Sequence, residues 1–187
     1  MEPASIVIQQ LNEKDFAKFF SYLDQHLSDN GKNGTPLFQP ASRSASGYPV
    51  ERKAGFIQSL AISPGDPKWR RVWVALNTHD EIVGHVDLRA HHEPYTEHRA
   101  LLGMGVRKDM QRQGLGKKLL EFAFAWAKQF GLIEIIDLSV MADNAPAIQL
   151  YRRAGFVRIC QINDMFRIDG RSEAHIIMAR SVLDRDE

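Results

Sequence analysis

Apolar positions recur along the chain with two different spacings, and their order predicts a mixed α/β domain. Ser5 to Leu11 reads as a short strand, and Glu13 to Leu27 carries apolar side chains at helical spacing after Asn12, a residue suited to cap that helix. Residues 28–49 are rich in Gly, Pro, Ser and Asn, which is typical of a loop, and a loop of this length is usually functional or flexible. A helix is predicted to follow at Val50 to Leu60.

The middle of the chain has the pattern of a β meander, and the second half alternates strands with helices. Strands are predicted at Arg71–Leu76, Ile82–Leu88, Ala100–Val106, Ile133–Met141, Phe156–Ile162 and His175–Ala179. Helices are predicted at Leu115–Phe130, ended by Gly131, and from Pro146 to Gly155. Hairpins followed by a β-α-β-α-β order favour one α/β (α+β) domain over residues 1–187, with a mixed sheet flanked by helices.

Charge and hydropathy argue against several functional classes. The 187 residues are 44% hydrophobic, with a formal net charge of +1 from 24 basic and 23 acidic side chains. Such a balanced charge argues against a nucleic-acid binder. No apolar run approaches the ~20 residues that cross a bilayer, and residues 1–5 lack the features of a signal peptide. We expect a cytoplasmic protein without nucleic-acid or membrane partners.

The cysteine and histidine content argues against a disulfide framework and a metal site. Cys160 has no partner of its own kind, which suits a reducing compartment, and its place in a predicted strand favours a small core residue over a nucleophile. Five of the seven histidines fall between His79 and His98, but their spacings match no compact zinc pattern. We expect no bound metal.

A turn with two glycines, QRQGLG at residues 111–116, opens the helix predicted at Leu115. Free N–H groups at a helix start, together with the positive end of the helix dipole, make a site suited to phosphate. Gly103 and Gly105 interrupt the strand before it, which usually marks a bulge or the close approach of another backbone.

Two common nucleotide motifs do not fit these residues. A P-loop needs Ser or Thr after its Gly-Lys pair, but Lys118 follows Lys117. The dinucleotide fingerprint needs a third glycine where Lys108 stands. A nucleotide-binding protein is therefore disfavoured.

The turn and its surroundings resemble the GNAT superfamily of acetyl-CoA-dependent N-acetyltransferases. That family's signature is Arg or Gln, two residues, Gly, one residue, then Gly or Ala, which Gln111, Gly114 and Gly116 match. A second run, NAPAIQLYRRAGF from Asn144 to Phe156, is similar to the family's second motif. The resemblance covers most of the chain, most specifically residues 99–156. It implies acetyl transfer from acetyl-CoA to a small-molecule, amino-acid or peptide amine.

The resemblance also implies how acetyl-CoA is held. Its pantetheine arm would lie between two splayed parallel strands. Backbone groups of Met104, Gly105 and Val106 would bind the arm as they would bind an added strand. The pyrophosphate would bind the N–H groups of the turn, which are those of Gln111, Arg112, Gln113, Gly114, Leu115 and Gly116. The side chains of Arg112 and Lys117 would add positive charge, or they are solvated surface residues without such a role. Asn144 would cap the next helix, contact acetyl-CoA, or do both.

Tyr151 is the implied acid, placed beside the thioester sulfur to protonate the departing thiolate. The alternative is a core tyrosine, since Ala147, Leu150 and Ala154 share its helical face.

A base is also needed, because an ammonium has no lone pair with which to attack. Many relatives use a Glu on or near the strand before the turn, whereas Ala100–Val106 has no ionisable side chain. His98 and Glu97 are the nearest substitutes, followed by His85 and Asp87 on the neighbouring strand. The missing carboxylate leaves open a catalytically silent relative that binds acyl-CoA as a sensor or interaction module.

Overall fold

A computed structural model describes residues 6–45 and 47–183, so the predicted start of the first strand at Ser5 lies outside the described residues. These residues form a mixed sheet of seven strands in the order β1-β2-β3-β4-β5-β7-β6. The strands are β1 (Val7–Gln10), β2 (Arg70–Leu76), β3 (Ile82–Arg89), β4 (Arg99–Val106), β5 (Ile135–Met141), β6 (Val157–Ile168) and β7 (Arg171–Ser181). The helices are α1 (Phe16–Ser28), α2 (Val50–Ala61), α3 (Leu115–Phe130) and α4 (Ala145–Arg153). The predicted fold class is confirmed.

The helices cover the two faces of the sheet in pairs. Val72 and Val74 of β2 pack with aromatic residues of α1 and α2, among them Phe19 and Phe56. Trp73 of the same strand belongs to the other core cluster, together with the buried residues of α3 and α4. Because neighbouring residues of a strand point to opposite faces, α1 and α2 lie on one side of the sheet, and α3 and α4 on the other.

The one parallel contact in the sheet, between β4 and β5, is short. It runs only from the pair Arg99–Ile135 to the pair Leu101–Asp137, although both strands continue beyond it. The other neighbouring strands pair antiparallel. A gap therefore opens between β4 and β5 toward the end of β4, as the splayed pair of the family resemblance implies.

Backbone hydrogen bonds of β4 alternate between β3 and this gap. Arg107 donates its N–H to the carbonyl of Val83, which stands opposite it when the β3–β4 register is continued. In an antiparallel pair every second residue is bonded to the partner strand. Gly105 is thus bonded to His85, whereas Met104 and Val106 direct their backbone polar groups away from β3 and into the gap.

Two local predictions are wrong for identifiable reasons. The Asn12 side chain does not cap a helix; it donates to the carbonyl of Gln10, and a short 3₁₀ turn at Glu13–Asp15 precedes α1. Cys160 is exposed rather than a core residue. It lies on β6, the edge strand, whose residues 157–165 are all exposed, so alternation along that strand marks no buried face.

The predicted loop between α1 and α2 is tied down at both of its ends. Buried Asn30 accepts hydrogen bonds from the N–H groups of Phe38 and Gln39. Arg43 pairs with Asp169 and Glu173 of the β6–β7 hairpin, each at 3.2 Å. The loop thus runs from the end of α1 to β7 across the α1–α2 side of the sheet; its flexibility remains a prediction.

Candidate active site

The turn before α3 presents a row of unpaired backbone N–H groups. Arg112 and Gly114 both have left-handed conformations, with φ of 60° and 83°. Throughout the part of the chain that the structure describes, no group accepts a hydrogen bond from the amides of residues 112–117. Successive amides in such a turn, at the positive end of a helix of 16 residues, form a site for an anion.

Two glutamine side chains hold the shape of the turn. Gln111 donates to the carbonyl of Val106 at 3.1 Å, and Gln113 to the carbonyl of Asp109 at 2.8 Å. Lys117 is exposed and pairs with Glu121 at 3.5 Å. Its charge lies beside the turn and stays free to move, since exposed pairs contribute little.

Helix α4 closes the turn from the other side. A Cβ added to Gly116 would lie 2.9 Å from Leu150 Cδ2, so the helix start can pack against α4 only without a side chain there. Asn144 accepts a hydrogen bond from the N–H of Ala147 at 3.3 Å, which confirms its capping role. Its contact with acetyl-CoA remains a prediction.

The two glycines of β4 make room for side chains from the α1 side of the sheet. A Cβ on Gly105 would lie 2.6 Å from His26 Nε2 and 2.9 Å from His85 Cε1, and one on Gly103 would collide with Asp87. The β3–β4 register is unbroken here, so these glycines mark neither a bulge toward β3 nor an approach of backbone. They let polar side chains reach the strand that borders the gap.

A hydrogen-bonded chain links α1, β3 and β4 at this place. The hydroxyl of Tyr22 donates to the carbonyl of Gly105 at 3.1 Å and lies 3.0 Å from Nδ1 of His85. A phenol has one proton, so this network assigns the Nδ1 proton to His85, which donates to Tyr22. Burial lowers the pKa of His85 to about 3, and its ring is therefore neutral at physiological pH.

His26 lies above Gly105 between two other rings. It stacks on Tyr22 with centroids 5.9 Å apart and on Phe38 of the α1–α2 loop with centroids 4.7 Å apart. Burial lowers its pKa to about 4, against a smaller opposite effect of the Asp29 charge. His26 also lines a cavity of about 410 Å³ between the end of α1 and the residues that follow β4, including Arg107 and Asp109.

Tyr151 is buried in α4, where its ring packs edge-on against Phe156 with centroids 5.7 Å apart. The ring thus occupies the core, as the structural alternative predicted. Its hydroxyl has no hydrogen-bond partner within residues 6–45 and 47–183. Burial raises the pKa of this phenol, so the hydroxyl keeps its proton at physiological pH and can donate it to an incoming group.

Sequence comparison identifies the family. Residues 43–156 match the Acetyltransferase (GNAT) family. The chain belongs to the GNAT family of acetyltransferases.

Individual GNAT proteins are similar over parts of the sequence and over the whole fold. An L-amino acid N-acetyltransferase of Escherichia coli K12 is 29% identical over 76 residues, which are 41% of this chain and 47% of the relative. The alanine N-acetyltransferase of ribosomal protein bS18 from the same strain is 40% identical over 80 residues, 42% of this chain and 53% of the relative. The matched segments thus span about half the length of these relatives. A Salmonella typhimurium structure with acetyl-CoA has a TM-score of 0.74 at 16% identity, covering 97% of this chain and 96% of its own.

His98 and Glu97, the first choices for a GNAT base, lie at the wrong end of β4 for a place beside the turn. They precede the strand where β4 and β5 are still paired. Because a strand rises by about 3.3 Å per residue, His98 lies roughly 23 Å along the strand from Gly105. Glu97 is exposed and lines a separate cavity of about 190 Å³. The sequence placed them beside the strand, but how far β4 and β5 stay paired, and so where the gap begins, depends on the tertiary fold.

Asp87, another candidate base, is already committed to arginines. Its carboxylate lies 2.9 Å from Arg89 and 3.4 Å from Arg70. Burial acts to raise the pKa of Asp87, but the two guanidinium charges outweigh it and hold the pKa below its usual value. Both arginines already engage this carboxylate, so its charge is balanced without the proton of an amine.

Sequence reasoning missed His26 and Tyr22. They lie four residues apart on α1, so they share one face of the helix, and that face also carries Phe19 and Leu23. A histidine that continues a buried aromatic stripe was the available signal. Within the described ranges, no group of three or more His, Cys, Asp or Glu side chains could hold a metal ion. In the same residues, no helix has the length and apolar character needed to cross a membrane.

Proposed function

We propose that this protein transfers the acetyl group of acetyl-CoA directly to an amine. The observation that carries the proposal is the gap between β4 and β5, which opens at the end of β4 that leads into the unpaired amides of residues 112–117. A pyrophosphate and an extended arm joined to it fit that combination. GNAT membership and the structural neighbour that holds acetyl-CoA support it.

Each part of acetyl-CoA has suitable groups in this chain. The amides of residues 112–117 would bind the pyrophosphate, with Arg112 and Lys117 adding positive charge. Backbone groups of Met104 and Val106 would bind the amides of the pantetheine arm, in the manner of a strand added to an open edge. The carbonyl of Val106 is already used by Gln111, which leaves its N–H for this purpose.

Tyr151 would serve the leaving group. Its unpartnered hydroxyl would donate a hydrogen bond that strengthens as negative charge develops on sulfur, and it would pass its proton to the thiolate. The N–H of Met104 would stabilise the negative carbonyl oxygen of the tetrahedral intermediate. No covalent intermediate with the protein is needed.

The acceptor would be the amine of an amino acid or of a peptide. The two Escherichia coli relatives are named for an L-amino acid and for a ribosomal-protein alanine as substrates. The cavity of about 410 Å³ beside His26 has room for a group of that size, and it carries charges of both signs from Asp29, Arg107, Lys108 and Asp109. An amine that bears a carboxylate or a peptide bond would find partners there.

Thiol release from acetyl-CoA tests the proposal. Release is followed with a thiol-reactive dye across free L-amino acids, peptides with free N-termini, and monoamines without a carboxylate. We expect release to depend on the first or second group. Acetyl-CoA binding without release for any amine would instead support the silent acyl-CoA sensor. Absence of acetyl-CoA binding in calorimetry would contradict both.

A further inference from the structure

Resting on the proposed function, we propose that His26 is the catalytic residue that accepts the proton of the attacking amine. The base expected on β4 is absent from that strand, and His98 and Glu97 lie at its far end. Where a Cβ would stand on Gly105, His26 presents its Nε2 instead. The imidazole therefore contacts β4 beside the residues whose backbone groups face the gap.

The position of His26 is fixed by rings on both sides. Tyr22 lies nearly parallel to it, at an interplanar angle of 7°, and is itself held by its hydrogen bond to the Gly105 carbonyl. Phe38 covers the other face and comes from the α1–α2 loop, which Asn30 anchors. A side chain held in this way loses little further freedom when a substrate binds, which favours catalysis.

His26 has lone pairs to offer. It makes no hydrogen bond with any residue of the described ranges, although its ring lines the cavity. Burial keeps the imidazole neutral, so one ring nitrogen has an unshared pair, and the low pKa suits it to the acidic nitrogen formed after attack and not to a free ammonium. The same burial favours the neutral, nucleophilic form of an amine bound next to it.

The charges around the cavity support a brief imidazolium. Asp29, which caps the end of α1, raises the affinity of His26 for a proton. Across the cavity, Arg107 is neutralised by Asp109 at 2.7 Å and by Glu81 at 3.3 Å. Lys108 donates to the carbonyl of Asn33 at 2.9 Å and is the remaining cation.

The proton and electron movements balance with this assignment. The nitrogen lone pair of the amine forms the C–N bond while the carbonyl π electrons move to oxygen. The nitrogen, made acidic by the new bond, gives its proton to His26. When the carbonyl re-forms, the C–S bond breaks and its electron pair stays on sulfur, which takes the proton of Tyr151. His26 returns its proton to solvent and Tyr151 regains one, so the products are an amide and a free thiol.

Two variants of His26 test the role. His26→Ala leaves a space of imidazole size between Tyr22 and Phe38, and His26→Phe keeps the stack but has no nitrogen. Exposed His79, in the β2–β3 turn, provides the control His79→Gln. Acetyl-CoA binding is measured by calorimetry, and turnover with the best amine of the panel and with ethylamine. We expect both His26 variants to bind acetyl-CoA as the wild type does and to lose about 100-fold or more in kcat.

Added imidazole separates a chemical role from a structural one. It should restore part of the kcat of His26→Ala in proportion to its concentration, and it should not rescue His26→Phe, whose ring fills the space. A kcat of either variant within about threefold of the wild type would overturn the proposal, as would the loss of acetyl-CoA binding in both. A wild type that acetylates none of the amines would refute the proposed function itself.

Discussion

Acid sensitivity follows from the two neutral histidines of the site. Burial lowers the pKa of His26 to about 4 and that of His85 to about 3, whereas a histidine in an unfolded chain has a pKa of about 6.5. The unfolded state therefore binds protons first as the pH falls. Their contribution to stability is complete well above pH 6.5 and is lost as the pH falls from there toward the two folded-state values.

The size of the effect at about pH 5 depends little on the folded-state values, because both lie below that pH. Proton linkage then gives about 2 kcal/mol of lost stability for each ring between about pH 8 and pH 5, and about 4 kcal/mol for the pair. Domains are usually stable by about 5–15 kcal/mol, so this loss is a large share of the total.

Urea unfolding, followed by tryptophan fluorescence at both pH values, measures the loss. Other groups titrate as well, so the informative quantity is the difference between the wild type and His85→Gln. The variant should be less stable at about pH 8, by about 1 kcal/mol for the lost bond to Tyr22. Between the two pH values it should then lose about 2 kcal/mol less than the wild type. Equal losses in both proteins would refute the claim that His85 is neutral because it is buried.

Three substitutions test other parts of the site. Gly114→Ala should lower the free energy of unfolding by about 1 kcal/mol because φ is 83°, and should raise the acetyl-CoA Kd about tenfold. Gly131→Ala, at φ 80° on the other end of α3, is the control and should cost the same stability with an unchanged Kd. Tyr151→Phe should lower kcat about 100-fold and leave acetyl-CoA binding intact in calorimetry, and an unchanged kcat would remove Tyr151 from the mechanism. Arg43→Ala breaks a partly exposed pair with Asp169 and leaves the buried carboxylate of Glu173 without its partner, so the Tm should fall. The KM for the amine should rise as well if the loop walls the acceptor site, and an unaltered KM would rule that out.

Local signals made part of the molecule predictable. Helix α3 begins and ends at the predicted residues because Gly114 and Gly131 mark both ends in the sequence. The capping role of Asn144 was equally local, set by its distance from Pro146. Such features need no knowledge of the tertiary fold.

Features that depend on neighbours in space were missed. Nothing in the sequence tells that β6 is an edge strand, and so Cys160 was placed in the core. The partnership of His26 with Gly105 joins residues from α1 and β4, and glycines in a strand indicate a close approach without naming what approaches. The proposed proton acceptor, His26, could therefore not be found by inspecting β4 alone.

The short parallel ladder between β4 and β5 connects two groups of strands that are otherwise paired only within themselves. The strand pairing between β1-β2-β3-β4 and β5-β7-β6 runs only from Arg99–Ile135 to Leu101–Asp137, and the hydrogen bonds of the His98 carbonyl and of Asp137 lie at the same end. A pantetheine arm bound in the gap would supply the hydrogen bonds that β4 and β5 lack there. The sheet would then be continuous only when acetyl-CoA is bound. Amide hydrogen exchange should then slow in strands on both sides of the gap when acetyl-CoA binds, including strands that do not touch it. The reason is that the two groups of strands would unfold locally together and not separately.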